Sequence, residues 1–265
     1  MTLVAYVNGL GLLGPGLANW RDAAAVLLGK AAYAPAPTVL PSPMQLPPAE
    51  RRRTGRVVKL ALAVAREATT NAGVDPATLA SVFTSSGGDG HNCHELCEAL
   101  ARQPREVSPT RFSNSVHNVA AGYWSIATGA RGPSNVLCAF DSSFGAGLLE
   151  AMTQVVVDGE PLLLVAYDTE YPEPIHAKRP LPDGFGVALV LTPHRHGTSL
   201  ARIGLDLWDG PADVLPDPQL ERLRISIPAA RCLPLLRQLA RHEAGATVID
   251  YLDVCSLALK IDPCA

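Results

Sequence analysis

The sequence predicts an α/β fold: a mixed, mostly parallel sheet with helices on both faces. Three observations carry this expectation. Short apolar runs (Leu3 to Val7, Leu79 to Ser85, Val136 to Phe140, Pro161 to Ala166) alternate with longer stretches of helical period. The last of these runs is apolar throughout, as in a parallel strand buried on both faces. A composition of 48% hydrophobic and 18% charged residues over 265 positions supplies one large core with room for a small appendage.

Composition also narrows the partners. A net charge of −3 gives no electrostatic reason for nucleic acid or an anionic membrane, and the few aromatic residues form no stacking ladder. The first residues carry no basic leader and no apolar run is long enough to span a bilayer, so a soluble, cytoplasmic protein is expected. The six cysteines (Cys93, Cys97, Cys138, Cys232, Cys255, Cys264) then read as reduced thiols.

In chain order, the strand Leu3 to Val7 is followed by Gly9-Leu-Gly11-Leu-Leu-Gly14, which matches the dinucleotide pattern G-x-G-x-x-G. Pro15-Gly16 follows at once and no acidic strand end comes about 20 residues on, so this is read as a flexible turn before a helix from Trp20 to Leu28. Residues 34–48 are rich in proline and should form an extended surface loop. A helix is expected from Glu50 through Ala72, with Arg51, Arg52, Arg53 and Arg56 in solvated first turns and Val57, Leu60, Ala61 and Val64 facing the core. After the strand ending at Ser85 and a glycine turn, His91, Cys93, His94 and Cys97 lie within two helical turns, with soft-metal chemistry as one reading and a plain helix as the other. Ser115 to Thr128 reads as a helix with small residues at 120–122, and its His117 as a hydrogen-bonded buried histidine. Further on, Asp168 to His176 is a loop, and the runs Gly186 to Leu191 and Ser199 to Leu207 read as an antiparallel pair. A helix over Arg231 to Arg241 and strands at Thr247 to Ile249 and Cys255 to Ile261 complete the chain, with 206–265 set apart from 1–205 as a reduced extension.

The stretch most suggestive of chemistry is Gly129 to Glu150. A turn at Gly132-Pro133-Ser134 leads into the strand Val136 to Phe140, which breaks at Asp141-Ser142-Ser143 and resumes as the helix Phe144 to Val157. Such a strand-to-helix corner presents a side chain to free N–H groups and the positive end of the helix dipole. That side chain is Asp141, expected as an N-cap, while Cys138 should lie inert within the strand.

Three segments together resemble the N-terminal half of the β-ketoacyl synthases of the thiolase superfamily: Val4-Ala-Tyr-Val-Asn-Gly-Leu-Gly11, Asn118-Val-Ala-Ala-Gly-Tyr-Trp-Ser-Ile-Ala-Thr-Gly-Ala-Arg-Gly-Pro-Ser134, and Asp183-Gly-Phe-Gly-Val-Ala-Leu-Val-Leu191. The resemblance covers residues 1–205. It implies that the tenth residue counted from Gly132 is the acyl-accepting cysteine, and here that residue is Asp141. The family's two catalytic histidines come from a C-terminal half that 206–265 is too short to supply, and His196-Gly-Thr-Ser199 resembles one such motif only in a surface turn.

The Ser115-Val-His-Asn118 and Ala121-Gly-Tyr-Trp-Ser125 signature is similar to chain length factor-like proteins of aryl polyene, flexirubin and xanthomonadin-type pathways. That similarity implies a non-catalytic subunit without cofactor or metal, paired with a complete β-ketoacyl-ACP synthase and meeting acyl carrier protein only indirectly. The pairing surface would run through Asn135 to Phe140, including Leu137, and through Phe112 to Thr128, including His117 and Asn118. Arg111, Phe112, Val116 and Tyr123 would line the acyl tunnel. Two other readings stay open: an acyl-thioester hydrolase or acyltransferase using Cys138 or Ser142 with His117, and a metal module at His91, Cys93, His94 and Cys97.

Overall fold

Eight strands form one sheet in the order β3-β2-β4-β5-β1-β6-β8-β7, in a computed structural model that describes residues 2–264. The strands are β1 (Leu3–Leu13), β2 (Ala80–Thr84), β3 (Ser134–Leu137), β4 (Leu162–Asp168), β5 (Phe185–Thr192), β6 (Ala201–Trp208), β7 (Gly245–Leu252) and β8 (Cys255–Pro263). The helices are α1 (Trp20–Leu27), α2 (Pro48–Arg51), α3 (Arg56–Ala72), α4 (Gly90–Ala101), α5 (Pro109–Ser113), α6 (Val119–Thr128), α7 (Ser143–Asp158), α8 (Pro218–Ser226) and α9 (Leu233–Arg241).

The sheet is mixed, but parallel pairing is confined to β3-β2-β4, and the other five pairings are antiparallel. The expected direct pairing of the strands at 186–191 and 199–207 is corrected: β1 lies between them, bonded to β5 on one side and β6 on the other. Buried Asn8 fixes this arrangement. Its Nδ2 donates to Thr192 Oγ1 at 3.0 Å and its Oδ1 accepts from Ser199 Oγ at 2.6 Å, so the 193–200 connection crosses β1 near Val7 and Asn8.

The glycine pattern at 9–14 is likewise corrected from a turn to the second half of β1. A Cβ at Gly9 would sit 2.1 Å from the Ala68 carbonyl oxygen, and one at Gly11 would sit 2.1 Å from that of Val64. These glycines let α3 lie directly on the strand backbone, which is a packing requirement with no bearing on phosphate.

Two helix boundaries also shift. Thr54 donates its hydroxyl to the Arg51 carbonyl at 2.8 Å and Gly55 is extended, so the helix expected from Glu50 splits into α2 and α3. Ser115 donates to the Phe112 carbonyl and closes α5, and Asn118 is non-helical, so α6 begins only at Val119.

α3 and α6 cover one face of the sheet, over Phe83, Leu163, Val165, Tyr167 and Val190. On the other face, α1, α7, α8, α9 and the 3₁₀ turn Pro228–Cys232 bury Leu10, Leu12, Leu164, Leu189 and Leu259. The segment 206–265 therefore adds β7 and β8 to the same sheet, with β8 bonded to β6 from Ala201 to Trp208.

The sheet's two edges differ. At β7 the Asp213 carboxylate accepts from Thr247 Oγ1 at 2.7 Å and from the Val248 N–H at 2.9 Å, while the Asp213 N–H donates to the Val248 carbonyl at 2.8 Å. At β3 the carbonyls of Pro133 and Leu137 accept from Ser81 and Ser85 of the β2 side, so by strand alternation Ser134 and Val136 turn their backbone groups outward.

Asp168, expected at the start of a loop, instead ends β4 and is fully buried. Its carboxylate accepts from Ser86 N–H (2.8 Å), Ser86 Oγ (2.7 Å), Ser85 Oγ (3.3 Å) and Ala229 N–H (2.9 Å), joining the β2 and β4 ends to the 228–232 turn. Burial outweighs these hydrogen bonds and pushes its pKa up to about 6. The folded state thus holds a proton more tightly than the unfolded chain, so this group's contribution to stability falls as pH rises from 3.8 to about 6 and is level beyond that. Asp168→Asn should flatten that part of the stability profile, read as urea midpoints against pH.

The glycine packing makes a second testable point. Gly11→Ala should cost at least about 2 kcal/mol by overpacking. Gly122→Ala, on the exposed side of α6 with open space at its Cβ, should gain up to about 1 kcal/mol. Chemical denaturation of both variants checks this.

Candidate functional site

β3 stops at Leu137, and the chain turns through Cys138 and Ala139 into a 3₁₀ turn, Phe140–Ser142, before α7. Phe140 adopts φ 52°, a left-handed conformation that costs energy for a residue with a side chain. Neighbouring contacts hold it there. Ser143 Oγ donates to the Phe140 carbonyl at 2.7 Å and accepts from the Ala139 N–H at 3.1 Å, and the Arg179 guanidinium lies 3.6 Å above the Phe140 ring centroid.

The expected N-cap role of Asp141 is corrected. Ser142 holds the N-cap position of α7, with no side-chain capping bond, and Asp141 points instead to two arginines. Its Oδ1 accepts from Arg179 Nη2 at 2.7 Å and its Oδ2 lies 3.4 Å from Arg231 Nη2. Arg231 reaches on to Asp250 at 3.4 Å, Asp250 pairs with Arg224, and Arg224 forms a two-pronged bond to Glu221 at 2.7 and 2.8 Å. Hydrogen bonding from Arg224 holds the Glu221 carboxyl below the usual range. Six alternating charges thus run from the corner along the C-terminal segment. The partly exposed pairs of Asp141 are worth about 0–1 kcal/mol each, while buried Arg224 is held by both Glu221 and Asp250, so the chain of pairs fixes geometry. Beside it opens a cavity of about 1150 Å³, lined in part by Phe140, Asp141, Arg231, Asp250, Tyr251 and Val254.

Cys138 is exposed, correcting the expectation of a thiol sealed inside the strand: β3 ends one residue earlier, and the thiol donates to the Ser86 carbonyl at 3.2 Å. His117 is half-buried, with Nε2 3.2 Å from the Leu137 carbonyl oxygen. A carbonyl only accepts, so Nε2 carries the proton in this bond. No hydrogen bond joins His117 to Cys138 or Ser142 among the described residues.

The His117–Leu137 bond lays the 111–118 segment against the end of β3. Phe112 and Val116 are exposed there (68% and 51%), as are Asn118 and Arg111, the latter ion-paired with Glu95. Asn135 is exposed on β3 and donates to Glu150 at 3.1 Å, and Leu137 is half-buried. Tyr123 instead packs in the core beneath α6, its hydroxyl 3.3 Å from Asn114 Oδ1.

The remaining motifs lie apart. The strand register sets Leu191 opposite Leu162 and Phe185 opposite Asp168, so the 193–200 connection bearing His196 is at the other end of the sheet from Asp168. On α4, His91 faces Glu170 at 4.0 Å and His94 faces Glu98 at 3.5 Å, while Cys93 and Cys97 are exposed. No three His, Cys, Asp or Glu residues converge as metal ligands among the described residues. Arg179, Arg231, Asp250 and Arg224 were not singled out from the sequence: they come from separate segments with no local motif.

No curated protein matches the chain. Among solved structures it is similar to a chain of the ketosynthase (ApeO) in complex with its chain length factor (ApeC) from Xenorhabdus doucetiae, at 25% identity and a TM-score of 0.73, covering 97% of this chain and 99% of that one. It is also similar in fold to a chain of AntDE:AntF, a type II polyketide synthase acyl-carrier protein in complex with its ketosynthase (12%, TM-score 0.77, 100% of each chain). A β-ketoacyl synthase from Burkholderia phymatum STM815 shares the fold too (12%, TM-score 0.70, 100% of each chain). The family model described as the N-terminal domain of β-ketoacyl synthase matches residues 20–207, and with its strand-corner-helix core in a thiolase-like fold the chain belongs to that family.

Proposed function

We propose that this chain is a non-catalytic, chain length factor-like partner of a β-ketoacyl-ACP synthase in aryl polyene-type polyketide biosynthesis. The observation that carries the reading is Asp141 at the corner where the family resemblance expects the acyl-accepting cysteine, its two carboxylate oxygens engaged by Arg179 and Arg231. Attack on an acyl thioester by this carboxylate would yield a mixed anhydride, a higher-energy acyl species than the thioester itself. A thiolate would instead exchange one thioester for another at little cost.

The edges of the sheet support the partnership. Asp213 caps β7 at Val248, whereas β3 presents Ser134 and Val136 outward, flanked by exposed Phe112, Val116 and Phe140. An open edge with apolar flanks suits pairing with a second, similar sheet. The similar structure named above holds a ketosynthase in complex with its chain length factor. Phe112 and Val116 would then border the partner's acyl tunnel and limit chain growth by excluding volume, with carrier protein engaged through the ketosynthase.

The exposed Cys138 thiol favours a second reading, an acyl-thioester hydrolase or acyltransferase assisted by His117. That activity would be present in the chain alone and lost in Cys138→Ala.

Co-expression with the ketosynthase encoded beside it, followed by light scattering on a sizing column, should give a one-to-one complex. Val136→Pro removes an outward N–H while leaving the β2-facing groups of β3 in place, and should abolish the complex with the chain still folded by circular dichroism. A chain that ignores the ketosynthase overturns the proposal. Within the complex, Phe112→Ala should lengthen the product, read by mass spectrometry. Asp141→Cys should give no condensation by the chain alone.

A further inference from the structure

The proline-rich segment does more than connect α1 to α2. It is pinned where Gly16 N–H donates to the Ala36 carbonyl (2.9 Å), where Thr38 donates to Asp183 (2.7 Å) and to the Gly184 carbonyl (2.8 Å), and where Leu46 is buried. Between the last two anchors it stands off the outer flank of α3, with Val39 81% exposed. A cleft of about 880 Å³ lies beneath it, within the usual range for small-molecule sites.

The chemistry of the lining is uneven. Leu13, Leu17 and Ala63 form an apolar floor, and Pro37, Pro41 and Pro43 roof it without contributing a single N–H donor. Two of the polar groups present are already engaged: the Glu67 carboxylate accepts from the Leu12 N–H (2.9 Å) and the Trp20 N–H (2.7 Å), and Asn71 donates to the Leu10 carbonyl (2.8 Å). The two cations are not. Half-buried Lys59 and exposed Arg66, two turns apart on one flank of α3, make no ion pair or side-chain hydrogen bond among the described residues. The cleft shares no lining residue with the cavity beside Asp141.

We infer that this cleft binds an amphiphilic carboxylate, its apolar body between the proline roof and the Leu13–Leu17–Ala63 floor and its carboxylate paired with Lys59. The prolines offer the roof no N–H donors and Ser42 and Gln45 are its polar side chains, which favours a largely hydrocarbon body, and the unpaired ammonium at the wall fixes the sign of the head group. Arg66, nearer solvent, adds attraction at the mouth.

Calorimetric titration of the full chain with decanoate and with decanol, each below its aggregation concentration, tests the assignment. Decanoate should bind at one site. Lys59→Met should weaken decanoate about tenfold, the loss of roughly one charge-assisted contact, and leave decanol unchanged. Ala63→Trp, which fills the cleft, should abolish both, and Thr70→Trp at the exposed end of the same flank serves if the first variant does not fold. Absence of saturable decanoate binding, decanoate affinity indifferent to Lys59, or binding that survives a filled cleft would each overturn it.

Discussion

The buried carboxylate of Asp168 holds the functional end of the molecule together. It binds the ends of two parallel strands through Ser85 and Ser86 and a C-terminal turn through the Ala229 N–H. Two residues along that turn, Arg231 reaches Asp141, while the Ser86 carbonyl receives the Cys138 thiol. This anchor sets the strand end and the turn from which those two contacts reach the corner. A buried charge with four donors is costly to form and unforgiving to alter, which suits a part whose task is position.

The corner joins a strained backbone to a charged brace. Its backbone keeps the left-handed residue and the tight turn of a site that displays a side chain. The displayed group is a carboxylate whose charge is distributed into a run of ion pairs ending at Glu221. The strained turn aims that carboxylate at the C-terminal segment, where Arg231 meets it.

Much of this was legible in the sequence, because apolar period fixes strands and helices locally. β2, β4, α7 and α9 fall close to where their patterns place them. Non-local contacts decided the remainder. Gly9 and Gly11 read as a turn because their reason for being glycine is a helix more than 50 residues away in the chain. The runs at 186–191 and 199–207 read as a pair because sequence proximity cannot reveal a first strand returning between them. Counting from Gly132 puts Asp141 where the resemblance expects the nucleophile, but its partners, from residues 179 and 231, leave no local trace. The strand expected to run to Phe140 ends at Leu137, which leaves the Cys138 thiol exposed just past it instead of inside it.

The contrast between the edges of the sheet sets a limit on assembly. An extended sheet with two live edges can add neighbours in both directions and grow without end, as fibres do. Asp213 occupies the backbone groups of β7 at Val248, so that side accepts no further strand there. β3 carries no such cap on Ser134 and Val136 among the described residues, and a sheet that extends in one direction is finished by a single neighbour. Should β3 recruit a neighbour, that aspartate favours a pair over a growing row of sheets, acting from the far end of the sheet.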